Sequence, residues 1–492
     1  MIRGSLLTLA MAHIENLQGL IAQSLLLAAF AIVSAIFCRC FYRIYLHPLS
    51  SVPGPKLAAC TSLWLAYHTY IGDECTVVYD LHRKYGAVLR VAPNDVDIAD
   101  KDALEPIYIA RGGFPKTPAY SKFDIDGHTT IFSSLTLPER ATRAKAVAPL
   151  FSTASIRSSQ EALREVFDDF AKRLQAEART GRPVNVLNVT RAMAIDAVST
   201  YLFHERYGAI TEKTESMSAS PFVDSFAGVG AFFNIVPGKI GDFVMEVIER
   251  WSTTKNVEQS HGLIDQYTRR LIQTAIPKNG SYQSRLLEKS TITQSQIELK
   301  DVCFAGTDST GMNTATILWY LAKHPEIYDR LRQAVMESIN NDEDPTACAY
   351  LRGVVREGLR LSWANPIRLP RAVPAGGWKY RDYYFPAGTS VGVAAFQLHQ
   401  DSSVFPEPQQ FHPERWDNAD DEMLTAFFAF GKGTRACIAQ SLAMYEVTMA
   451  IFTVVKADVL RGASIVGDRI EIKEWFNSKV KGQEILIQFA SN

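Results

Sequence analysis

The stretch Ala426-Phe427-Phe428-Ala429-Phe430-Gly431-Lys432-Gly433-Thr434-Arg435-Ala436-Cys437-Ile438-Ala439 places a single thiol between a glycine-punctuated turn and an apolar run. Gly431 and Gly433 let the backbone turn sharply and aim N–H groups at the sulfur. A helix-like run begins near Ile438 and adds its positive end, so both features favour thiolate over thiol. The cysteine is then a ligand or a nucleophile. No histidine lies within the segment to serve a nucleophile as its base, although a distant one can fold in. Arg435, two residues before the thiol, offers a fixed cation suited to a carboxylate. A buried structural cysteine is the bland alternative.

Two other segments bear on this loop. Ile297 to Ala322 reads as one long helix, broken in its middle by Ala305-Gly306-Thr307-Asp308-Ser309-Thr310-Gly311. Gly306 leaves the helix face bare, and Ser or Thr hydroxyls can bond back to the preceding turn, which predicts a local opening. Further on, Glu357 and Arg360 stand three apart on one helical face and precede Phe411-His412-Pro413-Glu414-Arg415-Trp416. Taken alone, these are an ordinary kinked helix and a solvated ion pair.

The chain has 492 residues, with Lys+Arg 51 against Asp+Glu 52 and a net charge of -1. No charge excess exists to hold nucleic acid, which is set aside as a partner. At 47% hydrophobic and 21% charged residues it has ample material for a large core. The 7 cysteines are odd in number, contain no CxxC pair and lie far apart, so they are expected as reduced thiols rather than a disulfide framework or zinc site.

Leu17 to Cys38 carries no charge and is long enough to span hydrocarbon, with Arg39 and Arg43 directly after it. The basic bias puts the following polypeptide on the cytoplasmic side. A cleaved signal peptide or a buried core helix is the alternative, and Met11 competes with Met1 as initiator. The expected organisation is a luminal tail over 1–16, a transmembrane anchor over 17–38, a hinge over 39–56 stiffened by Pro48, Pro53 and Pro55, and a catalytic body over 57–492. Within the body, Leu57 to Tyr85 is helical, and Ala87 to Ile98 alternates like a β-hairpin. Residues 112–135 form a long loop. Long helices fill Arg140 to Leu271, with breaks near Pro221 and Pro237, and Thr293 to Leu361. Short strands follow at Arg368 to Val373, Trp378 to Phe385, Thr389 to Phe396, Arg469 to Lys473 and Glu484 to Phe489, expected to build a second, minor sheet.

Together these segments resemble the cytochrome P-450 family. Its haem-loop pattern FxxGxRxC is met by Phe430, Gly433, Arg435 and Cys437, its oxygen-handling motif by Ala305, Gly306, Asp308 and Ser309, and its ExxR pair by Glu357 and Arg360. The family usually has Gly where Ala439 stands and Thr where Ser309 stands. The resemblance implies a mainly α fold with small β-sheets, preceded by a single N-terminal transmembrane helix. It implies haem b, with Cys437 as axial thiolate to the iron, Phe430 shielding the sulfur and Arg435 pairing with a propionate. Ala305 and Gly306 would face the haem. Asp308 would relay protons, with Ser309, or Thr310 in its place, as the alcohol. Glu357, Arg360 and Arg415 would form a buried three-way network. Arg371 would supply a second propionate contact. A third is expected from Arg143, since the pattern of an aromatic or His followed four residues later by Arg is not met at Arg140 and Ala144; a solvated basic face, with Lys145, accounts for Arg143 equally.

By the same resemblance the protein is a haem-thiolate monooxygenase of the endoplasmic reticulum membrane, single-pass and facing the cytosol, with a flavour of fungal secondary metabolism. Terpenoids, polyketides and alkaloids are the substrate classes it suggests. No GxGxxG fingerprint follows a strand, so NADPH acts indirectly through NADPH-cytochrome P-450 reductase, with cytochrome b5 as a further electron donor. Lys432 is the candidate contact for the reductase. Expected pocket walls are Ala305, Ala364 to Ile367, Phe114, Tyr120 and Phe123, mostly apolar, for a hydrophobic small molecule. Phe222 to Ile240 reads either as a lid dipping into the bilayer or as core. Two rivals stand: a reductase-independent isomerase or dehydratase on the same fold, and a non-enzymatic haem- or lipid-binding membrane protein.

Overall fold

In the computed structural model of the protein, residues 2–214, 217–235 and 254–490 are described. The chain opens on a single helix, Ile2–Phe41, that continues as a π-helical turn over Tyr42–Leu46. Gln18–Leu46 is the one stretch among the described residues long and apolar enough to cross a membrane, and its side chains, Phe30 at 73% for example, are exposed. The helix exceeds the expected 17–38 at both ends. No proline precedes Pro48 to stop it, and Arg39 sits favourably in its last turn.

Pro48, Pro53 and Pro55 end the helical run as expected, but the segment they stiffen is docked rather than free. The buried Arg90 guanidinium donates to the carbonyls of Arg43 at 2.8 Å, Leu49 at 3.3 Å and Pro93 at 2.7 Å, while the Arg90 N–H donates to Pro53 O at 2.7 Å. Leu49 and Val52 are buried beneath it.

Strands Val88–Ala92 and Asp95–Ile98 form the expected antiparallel hairpin, with Arg90 opposite Val96. The carboxyl-terminal pieces do not make one second sheet. Ser390–Gly392 adds parallel to the hairpin, pairing Val96 with Val391, and Arg371–Ala372 adds antiparallel beyond it, giving one four-stranded sheet. An open hairpin edge presents unpaired N–H and C=O groups, and a distant segment satisfies them. Trp378–Tyr380 with Tyr383–Phe385 and Ile472–Lys473 with Lys479–Val480 are separate hairpins. Leu486–Gln488 lies between Val184–Asn185 and Ser464–Ile465. The strand expected over Thr389 to Phe396 covers only Ser390–Gly392, and Ala395–His399 is helical.

The rest is helix. Ile292–Lys323 runs through the core, capped at Thr291, whose hydroxyl accepts from the Gln294 N–H. It is buried on every side, so its apolar residues show no single stripe. The expected break at Ala305 to Gly311 is absent. Thr307 Oγ1 donates to Cys303 O at 2.5 Å and Ser309 Oγ to Ala305 O at 2.9 Å, within an unbroken helix. The bare face at Gly306 is taken up by the neighbouring helix Val186–Phe203, where a Cβ on Gly306 would lie 2.9 Å from Val198 Cγ2. Pro221 does not interrupt a helix but lies in the first turn of Ala219–Val229, where its missing N–H costs nothing. Pro237 and the end of the Phe222 to Ile240 segment lie outside the described residues. All seven cysteines are free thiols.

Helix Ala349–Leu361 crosses the central helix at Gly358, where a Cβ would come within 2.1 Å of Ile317 Cγ1. Neither helix can retreat from a packed core. Gly358→Ala is therefore expected to lose about 1–3 kcal/mol of stability, seen as a lowered midpoint in thermal unfolding, despite alanine's better helix propensity.

Candidate active site

The loop foreseen around Cys437 folds back on itself through the backbone. The Cys437 N–H donates to Phe430 O at 2.9 Å, Gly431 N–H to Phe428 O at 3.1 Å, and Ala436 N–H to Gly433 O at 3.0 Å. Gly433, at φ 71°, lies so close to Tyr108 that a Cβ would collide with its carbonyl oxygen. Helix Gln440–Lys456 starts just beyond, slightly later than expected. Cys437 opens onto an internal cavity while protein surrounds it on the larger scale. Burial pushes its thiol up, and a backbone N–H at Ala439 only partly offsets this. Within the loop, burial and the amide thus act on the thiol in opposite directions, burial the more strongly.

The same cavity is lined by Ala305, Gly306, Ser309 and Thr310 of the central helix, and by Phe430, Gly431 and Arg435 of the loop. Of the foreseen substrate walls, Phe123, Ala305, Ala364 and Asn365 line it, joined by Phe132, Phe226, Phe304 and Phe476. Phe114 packs edge-on to Trp378 instead, Ile367 is core, and Tyr120 is buried with its hydroxyl taking a 2.8 Å hydrogen bond from Arg371. From the foreseen lid, Phe226 stacks on Phe304 with ring centroids 4.7 Å apart, while Phe232 and Phe233 are buried.

Three cations, Lys116, Arg140 and Arg435, line the cavity, and Arg371, expected beside them, stands behind the lining but near enough to act on Lys116 and Arg435. Arg435 is held down to about 10 by burial and by the neighbouring Arg140 and Arg371 guanidiniums. Lys116 is pushed well below its usual range by burial, then by Arg371, Arg435 and Arg140, with Asp301 a smaller opposing influence. Arg140 donates to Thr434 O at 2.7 Å, Arg371 to Pro370 O at 2.9 Å, and Lys116 to Phe132 O at 2.5 Å. All are neutral acceptors. Arg435 Nη1 and Arg140 Nε are buried with no partner among the described residues. Clustered cations with idle donors are complementary to a ligand carrying carboxylates.

Arg143 does not belong to this cluster, contrary to expectation. It pairs with buried Glu298 at 2.9 Å and donates to Thr129 O and Ser134 Oγ, outside the cavity lining. Arg140, three residues earlier, holds the cavity position, as does Lys116, for which the sequence offered no signal beyond its place in a long loop. Asp308 is also turned away. Its Oδ1 pairs at 3.0 Å with Arg191, which reaches Asp224 at 3.2 Å, and it does not line the cavity. Burial raises the Asp308 carboxyl, with Arg191 pulling it back. Ser309 and Thr310 do face the cavity, and Thr310 Oγ1 donates to Glu446 at 3.2 Å.

The three-way network is present as foreseen in geometry. Glu357 receives Arg360 at 2.8 Å and Arg415 at 3.0 Å, together with Trp416 Nε1 and the His412 N–H, each at 3.0 Å. Arg360 spends its remaining donors on the carbonyls of His399, Pro408 and Gln410. His399 carries the network to the cysteine loop, since its Nε2 accepts the Phe428 N–H at 3.0 Å. Burial, then the Arg360 charge, lowers that imidazole to about 3, so it is neutral with the proton on Nδ1 toward Arg360 O.

Cations with idle donors beside a cavity-facing cysteine are the residues a haem-binding site needs. Residues 52–457 match the family model for cytochrome P450, and the chain belongs to that family. It is 37% identical over 481 residues to cytochrome P450 monooxygenase mfmF of Annulohypoxylon moriforme, covering 91% of this chain and 96% of that protein. It is 27% identical over 458 residues to cytochrome P450 monooxygenase aneF of Aspergillus aculeatus, covering 86% and 91%, and 27% over 463 residues to cytochrome P450 monooxygenase TRI4 of Fusarium sporotrichioides, covering 85% of each. The protein is an oxidoreductase of the monooxygenase kind, and its family's cofactor is haem iron.

Arg360→Ala leaves buried Glu357 with Arg415 as its one remaining cation and three carbonyls without their donor, a loss of about 3–5 kcal/mol, and is expected to yield haem-free protein by absorbance. Arg140→Leu is expected to speed haem transfer to an apoglobin acceptor. Arg143→Leu, which strands Glu298 instead, is expected to lower the unfolding temperature with little change in that transfer rate.

Proposed function

We propose that the protein is a membrane-anchored haem-thiolate monooxygenase that inserts one atom of O2 into a hydrophobic small molecule, as a tailoring step in fungal secondary metabolism. One observation carries this: Cys437, four residues of the central helix (Ala305, Gly306, Ser309 and Thr310), and Arg435 and Arg140 with their idle donors all line one cavity. Haem b, when bound, supplies oxygen activation. Cys437 would ligate its iron, and Arg435, Arg140 and Lys116, with Arg371 behind them, would hold its carboxylates. Phe430 covers the sulfur side, and Gly433 lets the loop lie against Tyr108.

The remaining wall selects the substrate. Phe123, Phe132, Phe226, Phe304 and Phe476 exclude water and reward apolar surface at roughly 25 cal/mol per Å² buried. Asn365 and Asn477 add a few polar positions in that wall. A terpenoid, polyketide or alkaloid skeleton with few polar groups suits such a lining. Electrons come from NADPH through a separate NADPH-cytochrome P450 reductase, with cytochrome b5 as a further donor. Half-buried Lys432 sits on the loop beside the thiol, where a partner could dock. The basic residues Arg39 and Arg43 after the apolar helix support an orientation with the body on the cytosolic side of the endoplasmic reticulum membrane.

In microsomes, the dithionite-reduced protein is expected to show a far red-shifted Soret band with CO, lost in Cys437→Ser. Product is expected only with NADPH, reductase and O2 together. A folded, haem-supplied protein without that band overturns the thiolate assignment, and turnover without NADPH turns the reading to an isomerase or dehydratase.

A further inference from the structure

The cavity lining has two polar regions of opposite hydrogen-bonding sense. Around Arg435 and Arg140 it offers donors that lack acceptors. At Asn365, Asn477 and Ser309 it is the reverse, because the side-chain donors there are already used within the protein. The chain builds this second region just beyond helix Ala349–Leu361, where Trp363, at φ 52°, turns the backbone out of the helix. Ala364 O then accepts the Ser478 N–H at 3.0 Å, and Asn365 Nδ2 donates to Phe476 O at 2.9 Å, so residues 364–365 and 476–478 lie side by side.

A carbonyl can only accept, so the Asn365 amide must turn its NH2 to Phe476 O, which leaves its oxygen for the cavity. Asn477 hydrogen-bonds to the Asp308 carboxyl, which the Arg191 guanidinium pairs at 3.0 Å and keeps as an acceptor. Its oxygen is likewise left over. Ser309 spends its proton on Ala305 O at 2.9 Å. Neither amide oxygen accepts a hydrogen bond from any described residue. The Phe476 ring beside them meets Phe123 at 4.8 Å and Phe132 at 5.6 Å between centroids, which walls the region off with apolar surface.

Acceptors facing a phenyl-lined space are costly until a donor meets them. A ketone or a carboxylate brings only further lone pairs. An ammonium group would need a counter-charge, yet Asp308 is taken by Arg191, and Asp301 lies more than two turns up the central helix, bonded to Thr130. A neutral O–H group meets the requirement without any charge to balance.

We propose that Asn365 and Asn477 are specificity residues that select a substrate already carrying a neutral hydroxyl and hold it by that group. The inference rests on the monooxygenase reading above and narrows its substrate class to hydroxylated apolar skeletons. Anchoring one O–H on this wall fixes which carbons of the skeleton face Ala305 and Gly306 on the central helix. The enzyme therefore acts after a reaction that installs that hydroxyl, and not on a bare hydrocarbon.

The test titrates purified, haem-loaded protein with pairs of probes alike in shape, such as menthol with menthone and testosterone with androstenedione. Each pair exchanges one O–H for one C=O, and binding is read as a shift of the Soret band. Wild type is expected to bind the alcohol roughly three- to tenfold more tightly, the worth of one net hydrogen bond. Asn365→Leu and Asn477→Leu are each expected to weaken the alcohol and leave the ketone nearly unchanged, whereas a merely structural role would weaken both alike. If N365L frees the segment it clamps and loses haem, N477L decides by the same comparison. Ketones bound as tightly as their alcohols by wild type, or an alcohol preference that survives in N477L, overturn this inference and leave the monooxygenase reading standing. No Soret shift from any pair in a panel spanning terpenoids, polyketides and alkaloids overturns the hydrophobic-substrate reading itself.

Discussion

Glu357 is an ionisable side chain with no exposed surface, and the proximal half of the molecule is arranged to satisfy it. Burying one carboxylate is unfavourable by several kcal/mol unless opposite charge and hydrogen bonds replace water completely. Here Arg360 and Arg415 supply the charge, and Trp416 and the His412 N–H fill the remaining lone pairs. The donors belong to a helix and to a loop some fifty residues away, so neither piece can shift without leaving the carboxylate short. His399 then passes this rigidity on. Its ring is bonded to Arg360 O on one nitrogen and to the Phe428 N–H on the other, which fixes where the cysteine loop begins. The thiol is positioned by a network that never touches it.

The opposite policy rules the far side of the same cavity. Lys116 and Arg435 are depressed by burial and by the guanidiniums around them, and the four cations find mainly neutral carbonyl or hydroxyl acceptors. A cluster of this kind is unfavourable by itself and is relieved by an anion. Binding of a dicarboxylate cofactor then stabilises the fold by mass action and draws the long loop, the helix Leu137–Val147 and the cysteine loop together. One network is closed in advance and the other is open to a ligand, and the contrast separates scaffold from binding site.

Much of this was legible in the residues. The hairpin at Val88 to Ile98 announces itself by alternation, and the cysteine loop by glycine, arginine and thiol at fixed spacing. Local patterns of that kind carry local structure. What they do not carry is which partner completes an edge or which side of a helix faces a cavity. Arg140 and Arg143 lie three apart on one helix, and only the packing of Leu137–Val147 against buried Glu298 sends Arg143 inward and leaves Arg140 for the cavity. The strand at Ser390–Gly392 joins the amino-terminal hairpin because that hairpin has an open edge, a fact about topology rather than about residues 390–392.

The central helix shows the same limit in its sharpest form. A helix buried all round has no amphipathic stripe, so periodicity cannot say whether Asp308, Ser309 or Thr310 faces a ligand. Partners settle it. Asp308 meets Arg191, which also holds Asp224, so the three residues tie three helices together in a charged contact suited to rigidity. Thr310 instead faces the cavity and bonds Glu446, whose Oε1 has no partner among the described residues, so this side of the helix is left open where the Asp308 side is tied down.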